Sequence, residues 1–202
     1  MNYAIEYQNI NFPFIAITPR KKVLKHSLIS VQQGLILARL GKKEYTIEPG
    51  QSLWIPFDCL VSMTYFPNTQ VHQVEFSARI SDPLPLKAGH VTLSVLTQAI
   101  INKLSLQVTD ETHLKDLLAV LKVEMTALKP QLKESHLGQQ LNAWYPECEH
   151  NLDQSQHLVM MLREAKKRLL SGSKKQLVID ELFSGRNEEF DQLCLLAFGE
   201  LI

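Results

Sequence analysis

The sequence GKKEYTIEPGQSLWIPFD spans residues 41–58 and alternates apolar and polar side chains on both sides of a single turn. This alternation is typical of short β-strands. At the turn, Pro49 presets the first backbone angle and Gly50 accepts a positive φ at the second. We therefore predict that two short strands fold antiparallel around this corner, as in a β-barrel or a jelly roll.

The segments around this corner favour the same structure. Residues 30–40, 61–65 and 71–76 are short, rich in β-branched and aromatic side chains, and bounded by turn-forming residues. These patterns predict that about the first third of the chain is built from β-strands.

Composition excludes several classes of protein. The chain has 202 residues, 45% of them hydrophobic and 21% charged, and a formal net charge of zero. A neutral chain gives no general argument for nucleic-acid binding. Cys59, Cys148 and Cys194 are too few and too far apart for a disulfide framework or a zinc site. With neither a signal-peptide pattern nor an apolar run of membrane-spanning length, we expect a cytoplasmic protein without a membrane segment.

After residue 78 the hydrophobic period changes from that of strands to that of helices. A proline-rich connector, residues 81–89, precedes leucines that recur every three or four positions. The longer stripe begins near Asp110 and stops at Pro130. It consists of Leu114, Leu117, Leu118, Leu121, Met125 and Leu128. Two interpretations stay open: the stripe covers the edge of the barrel, or it forms the contact of a homodimer.

The last fifty residues have the outline of a helix-turn-helix. One helix ends at residues 171–173, a short helix includes residues 177–183, and Ser184-Gly185 turns the chain into a final helix. Between residues 129 and 151 the pattern is irregular, and Cys148-Glu149-His150 has no recognisable metal-ligand spacing. We predict no metal site there.

This order of elements resembles the AraC/XylS family of transcription regulators. Residues 49–56 look like the strand corner of the family's amino-terminal barrel, and residues 162–170 resemble the helix that links its two DNA-reading subdomains. Residues 178–185, followed by Glu189-Phe190 and residues 197–199, are similar to its second helix-turn-helix. The resemblance implies an α+β protein, with an amino-terminal cupin-like β-barrel followed by an all-α carboxyl-terminal half that ends in a helix-turn-helix-like unit. It implies three parts: a barrel over residues 1–90, dimerisation helices over 91–130 and a shortened helix-turn-helix-like domain over 131–202.

The chain departs from the family in the region that reads DNA. Only about seventy residues follow Pro130, where the family has two helix-turn-helix units. The predicted recognition helix also begins with carboxylates, which DNA phosphates repel. The candidate DNA-binding residues are Lys166, Lys167, Arg168, Lys174, Lys175 and Arg186. The alternative for this basic cluster is a solvated face at the end of a helix.

Enzymatic function is not predicted. Metal-dependent cupins use two histidines spaced by one residue and a later histidine after the strand corner, whereas His26 stands alone and Cys59 lies where the last histidine is expected. No fingerprint for a nucleophile, a phosphate or a dinucleotide is present in the sequence. We expect neither a metal nor a cofactor.

A small apolar effector is the remaining ligand that the barrel could bind. Strand alternation places Tyr45, Trp54, Tyr65 and Phe76 among the inward-facing residues, where they would line an aromatic pocket. The alternative is that these side chains fill a solid core, as in many small barrels.

Two functional hypotheses follow. In the first, the chain is an AraC-like, effector-responsive and dimeric transcription regulator that contacts DNA. In the second, DNA binding has been lost, and the chain is an interaction module that modulates another regulator protein.

Overall fold

The computed structural model describes residues 4–106, 108 and 110–202. Residues 1–3 lie outside the described residues. They belong to the amino-terminal segment for which we predict no signal peptide. The strands are β1 Ile5–Phe12, β2 Ala16–Ile17, β3 Lys21–Lys22, β4 Lys25–Gln33, β5 Ile36–Leu40, β6 Lys43–Ile47, β7 Ser52–Ile55, β8 Leu60–Tyr65, β9 Thr69–Ser77 and β10 Gly89–Val91. The helices are α1 Val95–Ser105, α2 Glu111–Thr126, α3 His136–Ala143, α4 Gln154–Leu170, α5 Lys175–Phe183 and α6 Asn187–Phe198. The coarser prediction of an α+β protein is confirmed: a sheet-rich domain is combined with helices.

The strands form two antiparallel sheets that pack face to face. One sheet has the order β1-β9-β4-β7-β10, and the other has the order β2-β8-β5-β6, with β3 also paired to β8. Side chains from both sheets meet in a sandwich core. It includes Ile29, Val31, Ile36, Ala38, Ile47, Leu53, Ile55, Met63, Tyr65 and Val71.

The corner at Pro49-Gly50 has a different role from the predicted one. The strands on its two sides, β6 and β7, do not pair with each other: β6 pairs with β5, whereas β7 pairs with β4 and β10. The Gly50 N–H donates to the Val31 carbonyl at 2.9 Å, and the Val31 N–H donates to the Gln51 carbonyl at 3.0 Å. The corner is therefore bound to β4 and carries the chain from one sheet to the other, so the predicted hairpin is wrong.

Helices cover the outer faces of both sheets. The outer face of the five-stranded sheet packs against α1 and α2 in a sheet–helix core, formed by Leu28, Trp54, Val74, Phe76, Ile100, Ile101, Leu104, Leu118, Leu121 and Met125. On the other side, α4, α5 and α6 form a helical core with Leu37 of β5 and three residues from segments between strands: Ile15, Leu35 and Phe66. The predicted division into residues 1–90, 91–130 and 131–202 stays a prediction, although both helical parts share cores with the strands.

The leucine stripe of α2 contacts this chain's own sheet. Leu118, Leu121 and Met125 are buried in the sheet–helix core, and the other three members pack against it half-buried: Leu114, Leu117 and Leu128. The stripe therefore covers this chain's own sheet, as the first interpretation holds, with three of its six side chains only half-buried. A homodimer contact through these residues stays a prediction.

Two buried histidines make stability depend on pH. The His26 Nδ1 accepts a hydrogen bond from the Phe57 N–H at 3.1 Å, and the His72 Nδ1 lies 2.7 Å from the Tyr7 hydroxyl. Burial lowers the pKa of both imidazoles below the ordinary value of 6.5. Below that pH the unfolded chain binds more protons than the folded chain, so the stabilisation present above pH 6.5 is lost as the pH falls through the folded pKa values.

We therefore expect the free energy of unfolding to decrease as the pH is lowered from 7 to 5. Urea denaturation at a series of pH values measures it. The variant His72→Gln should flatten the dependence, whereas His136→Gln, which changes an exposed histidine, should leave it unchanged. Equal slopes for wild type and His72→Gln would contradict the expectation.

Candidate nucleic-acid and effector sites

The helices α5 and α6 follow each other through a short turn, in the order that the predicted helix-turn-helix requires, and we call this pair the helix-turn-helix. They are joined by the three residues 184–186, and the backbone turns through positive φ angles of 54° at Ser184 and 76° at Gly185. The Gly185 N–H donates to the Ile179 carbonyl at 3.2 Å, which closes the end of α5. The turn is therefore as short as the sequence pattern predicts.

The two helices pack against each other through apolar side chains of the helical core. The rings of Phe183 and Phe190 meet edge to face with centroids 4.9 Å apart, and Val178, Ile179 and Cys194 are buried beside them. Burial raises the pKa of the Cys194 thiol to about 11, so the thiol stays protonated at neutral pH. The helix-turn-helix is thus a packed unit, and Cys194 belongs to its core.

Five of the six candidate DNA-binding cations pair with carboxylates of this chain. The distances between nitrogen and oxygen are 3.4 Å for Lys166–Glu200, 2.9 Å for Lys167–Glu164, 3.0 and 2.7 Å for Arg168 with Glu164 and Glu181, 2.9 Å for Lys175–Asp191, and 2.6 Å for Arg186–Glu189. Lys174 is exposed immediately before α5. The ammonium groups of Lys166 and Lys175 also lie over the rings of α6, 4.3 Å from Phe198 and 5.5 Å from Phe190.

The candidate cations have two kinds of surroundings. Lys166, Lys167 and Arg168 border a cleft between the sandwich and α4, whereas Lys175 and Arg186 pair with carboxylates of α6. Sequence position predicts three of the pairs, because Glu164 lies three and four residues before its partners on α4, and Glu189 lies three residues after Arg186. The other three partners are more than ten residues away in sequence, and no local pattern indicates them: Glu181, Asp191 and Glu200.

The four predicted effector-pocket residues do not line one cavity. Tyr65 lies in the sandwich core, where its ring stacks on Phe12 with centroids 3.8 Å apart, and burial raises its pKa to about 12. Trp54 and Phe76 lie on the opposite face of the five-stranded sheet, with ring centroids 5.8 Å apart. Tyr45 is half-buried at the edge, 6.5 Å from the ring of His90.

The prediction that these residues form one pocket is therefore wrong. Leu53 and Ile55 point into the sandwich, and Trp54 between them points outward. Since the helices bury the outer face as well, both faces of the strand are apolar, and alternation alone does not tell which face is inside.

A cleft of about 890 Å³ lies between the sandwich and α4, and we call it the interface cleft. Its apolar wall includes Ile17, Leu141, Trp144 and Met160. Its charged rim holds six cations and two carboxylates: Arg39, Lys42, Arg163, Lys166, Lys167, Arg168, Glu44 and Glu164. The interface cleft thus combines an apolar surface with an excess of positive charge.

Glu44 joins the sandwich to two helices beside this cleft. Its carboxylate accepts two hydrogen bonds from the Arg163 guanidinium of α4, one of them 2.7 Å long. Its backbone N–H donates to the Asn142 side-chain oxygen at 2.9 Å, and its carbonyl accepts from the Asn142 amide at 2.7 Å. Sequence reasoning missed all three residues, because Glu44 and Arg163 lie 119 positions apart.

Within the described residues, no group of three or more histidine, cysteine or acidic side chains is arranged to hold a metal ion. No helix in this part of the chain is long and apolar enough to cross a membrane. The absence of a metal and the lack of enzymatic function stay predictions.

Comparison with known proteins gives distant similarities in structure. No family model matches the chain, and no curated protein matches its sequence. The apo structure of a ToxT variant from Vibrio cholerae is 9% identical, with 99% of this chain and 96% of that chain covered at a TM-score of 0.46. A cupin superfamily protein from Desulfitobacterium hafniense is 10% identical, with 38% of this chain and 71% of that chain covered at a TM-score of 0.35. The cupin domain of Cnp3 from Schizosaccharomyces pombe is 12% identical, with 37% of this chain and 53% of that chain covered at a TM-score of 0.34. All three TM-scores are below 0.5.

Proposed function

We propose that this chain is a cytoplasmic, non-enzymatic regulatory protein of transcription, built like an AraC-type regulator, that acts through contacts with other proteins and not through DNA. Its helix-turn-helix is an interaction module, and its partner is another regulator protein. The observation that carries the proposal is the balance of charge on α5 and α6.

From Lys175 to Phe198 the chain has two cations and five carboxylates: Lys175, Arg186, Asp180, Glu181, Glu188, Glu189 and Asp191. Both cations pair with carboxylates of α6. Neutralisation of phosphates by lysine and arginine supplies most of the affinity of non-specific DNA binding. A helix-turn-helix with a net charge of −3 repels the duplex and lacks this contribution.

The basic residues of α4 do not compensate for this deficit. Lys166, Lys167 and Arg168 all have carboxylate partners. Exposed ion pairs contribute only about 0–1 kcal/mol to stability, but each partner reduces the charge that the cation presents to a phosphate. The short turn and the packed interior are nevertheless retained, which is what a protein-binding use of the same helices requires.

We expect the purified protein to show no salt-dependent binding to mixed genomic duplex DNA. Fluorescence anisotropy across a salt titration measures it, because binding through Z phosphate contacts gives a slope of about −0.9Z in log K against log salt. The double variant Glu188→Lys, Glu189→Lys changes the net charge of α5 and α6 from −3 to +1. It should gain binding that weakens as salt is added.

The matched control is Glu188→Gln, Glu189→Gln, which removes the negative charge without adding positive charge and should bind less than the lysine variant. Wild-type binding with a steep salt slope and sub-micromolar affinity would contradict the proposal. It would instead support the DNA-binding hypothesis, in which case charge reversal of Lys166 and Lys167 should abolish the retained complex in a gel-shift experiment.

The second part of the proposal is a small effector with an apolar body that binds in the interface cleft. The cleft has an apolar wall, and Glu44 at its rim contacts both α3 and α4. A ligand there would touch the sandwich and the helices together, so its binding would alter how the helical core sits on the strands.

A further inference from the structure

A second cleft, of about 600 Å³, lies over the outer face of β4 and β7, and we call it the polar cleft. It is bordered by β10, by α1 and by residues 133–135. None of its lining residues belongs to the interface cleft or to the helix-turn-helix. What binds there is therefore independent of the function proposed above.

The floor of the polar cleft is a buried pair of hydroxyl groups. Ser30 and Ser52 are 6% and 3% exposed, and the Ser52 hydroxyl donates to the Ser30 oxygen at 3.1 Å. Two residues earlier on β4 and two later on β7, the same face carries Leu28 and Trp54 of the sheet–helix core. The face thus changes from apolar to hydroxyl-bearing where the cleft begins. Among the contacts of the described residues, the Ser30 oxygen is only an acceptor, so its proton can be donated to a ligand.

Primary amides surround this floor. Gln32, Gln51, Gln98 and Asn102 all line the cleft. The Gln98 amide nitrogen donates to the Leu93 carbonyl at 3.3 Å, and the Gln51 side-chain oxygen accepts from the Glu48 N–H at 3.1 Å. These bonds orient the two side chains and leave the Gln98 oxygen and the Gln51 nitrogen for a ligand, since each primary amide carries both donors and acceptors.

His90 fixes the remaining wall. Its Nε2 donates to the Thr46 carbonyl at 2.8 Å, and its Nδ1 accepts from the Lys133 N–H at 3.4 Å. Its backbone exchanges two hydrogen bonds with Gln131, of 2.9 and 3.0 Å. A Cβ added at Gly89 would lie 2.6 Å from the Gln131 nitrogen, so the two segments approach too closely for a larger residue. The wall is therefore formed before any ligand binds.

The lining offers little charge to an ionic ligand. It contains one cation, Lys133, and one carboxylate, Glu134, which pairs with Lys43 at 2.9 Å. An entirely apolar ligand is disfavoured, because it would cover the Ser30 and Ser52 hydroxyls without a hydrogen bond to replace those made to water.

We infer that the polar cleft binds a neutral, polyhydroxylated small molecule of the size of a monosaccharide. Hydroxyl groups of such a ligand both donate and accept, as the serine pair and the amides require. Its C–H surface would lie against the apolar side chains of the lining: Val91, Leu93 and Ile101. The cleft volume is within the range usual for small-molecule sites.

The experiment is saturation-transfer difference NMR on the full chain with five probes: D-glucose, D-galactose, D-mannose, D-ribose and myo-inositol. We expect saturation transfer to at least one of them. Ser30→Ala and Asn102→Ala should each weaken its binding about tenfold, as expected for the loss of one hydrogen-bonding partner. Asn102 is exposed on α1, so its replacement leaves the fold intact even where a change at Ser30 disturbs it.

Gln192→Ala, which removes an exposed amide from α6, is the matched control and should bind the same probe as wild type does. D-glucose 6-phosphate should bind more weakly than D-glucose. The inference is overturned if none of the five probes receives saturation, if Asn102→Ala binds as tightly as wild type, or if the phosphorylated sugar binds more tightly than the neutral one.

Discussion

Replacing Trp54 with alanine is expected to lower the free energy of unfolding by about 3–5 kcal/mol, the range for removal of a large aromatic side chain from a core. Trp54 is fully buried between the five-stranded sheet and the helices that cover it. Its ring lies 5.8 Å from the rings of both His26 and Phe76, and its Nε1 donates to the Pro85 carbonyl at 2.9 Å. The substitution leaves a cavity and an unpaired carbonyl. Urea denaturation followed by far-UV circular dichroism measures the loss.

Trp144→Ala is the matched control, because it removes the same side chain from a half-buried position beside the interface cleft. We expect a loss of less than about 2 kcal/mol there, in proportion to the smaller apolar area that becomes exposed. If Trp54→Ala cost no more than Trp144→Ala, Trp54 would not be the centre of the sheet–helix core. A tryptophan that lines an effector cavity would give that result.

The positions of the turns and strands could be predicted from the sequence, but the pairing of the strands could not. Residues 61–65 and 71–76 lie in β8 and β9, as predicted. Pro49 and Gly50 indicate a turn because they restrict or permit particular backbone angles. Those angles say nothing about which strand accepts the hydrogen bonds of the next one. The partner of this corner, Val31, lies about twenty residues earlier in the chain.

The apolar faces of the helices could also be predicted from residues that are close in sequence. The surfaces that cover those faces could not, because they belong to distant parts of the chain. Leu118, Leu121 and Met125 recur with the helical period, so the sequence predicts a buried face. A buried face can be covered by the same chain or by a second copy. The choice depends on where the sheet presents a complementary surface, here around Trp54 and Phe76.

In the candidate sites too, some features can be predicted from residues close in sequence, whereas others depend on residues far apart in sequence. The acidic start of α6 is readable from Glu188, Glu189 and Asp191 alone. The polar cleft and the contact between Glu44 and Arg163 depend on which residues the fold brings together across the chain. Both are formed by single polar residues on different strands and helices, and no regular spacing in the sequence links those residues.

Replacing Arg163 with alanine is expected to lower the free energy of unfolding by about 2–3 kcal/mol, the loss for a charged hydrogen-bonding partner in a largely buried pair. The side chains of Arg163 and Glu44 are 22% and 14% exposed. Their two parallel hydrogen bonds join α4 to β6, and Asn142 of α3 holds the same glutamate through its backbone. Without Arg163, the Glu44 carboxylate stays largely buried and loses its charged partner.

A double-mutant cycle with Glu44→Ala isolates the energy of this pair, because the doubly substituted chain leaves neither charge unpaired. The coupling energy from urea denaturation should exceed about 1 kcal/mol. Lys167→Ala paired with Glu164→Ala is the matched control; the Lys167 side chain is 74% exposed, so its coupling should stay below about 0.5 kcal/mol. If the Arg163–Glu44 coupling were equally small, the apolar contacts of the helical core and backbone hydrogen bonds such as those to Asn142 would hold the helices on the strands. An effector in the interface cleft would then have no charged link through which to shift the helix-turn-helix, and that part of the proposed function would fail.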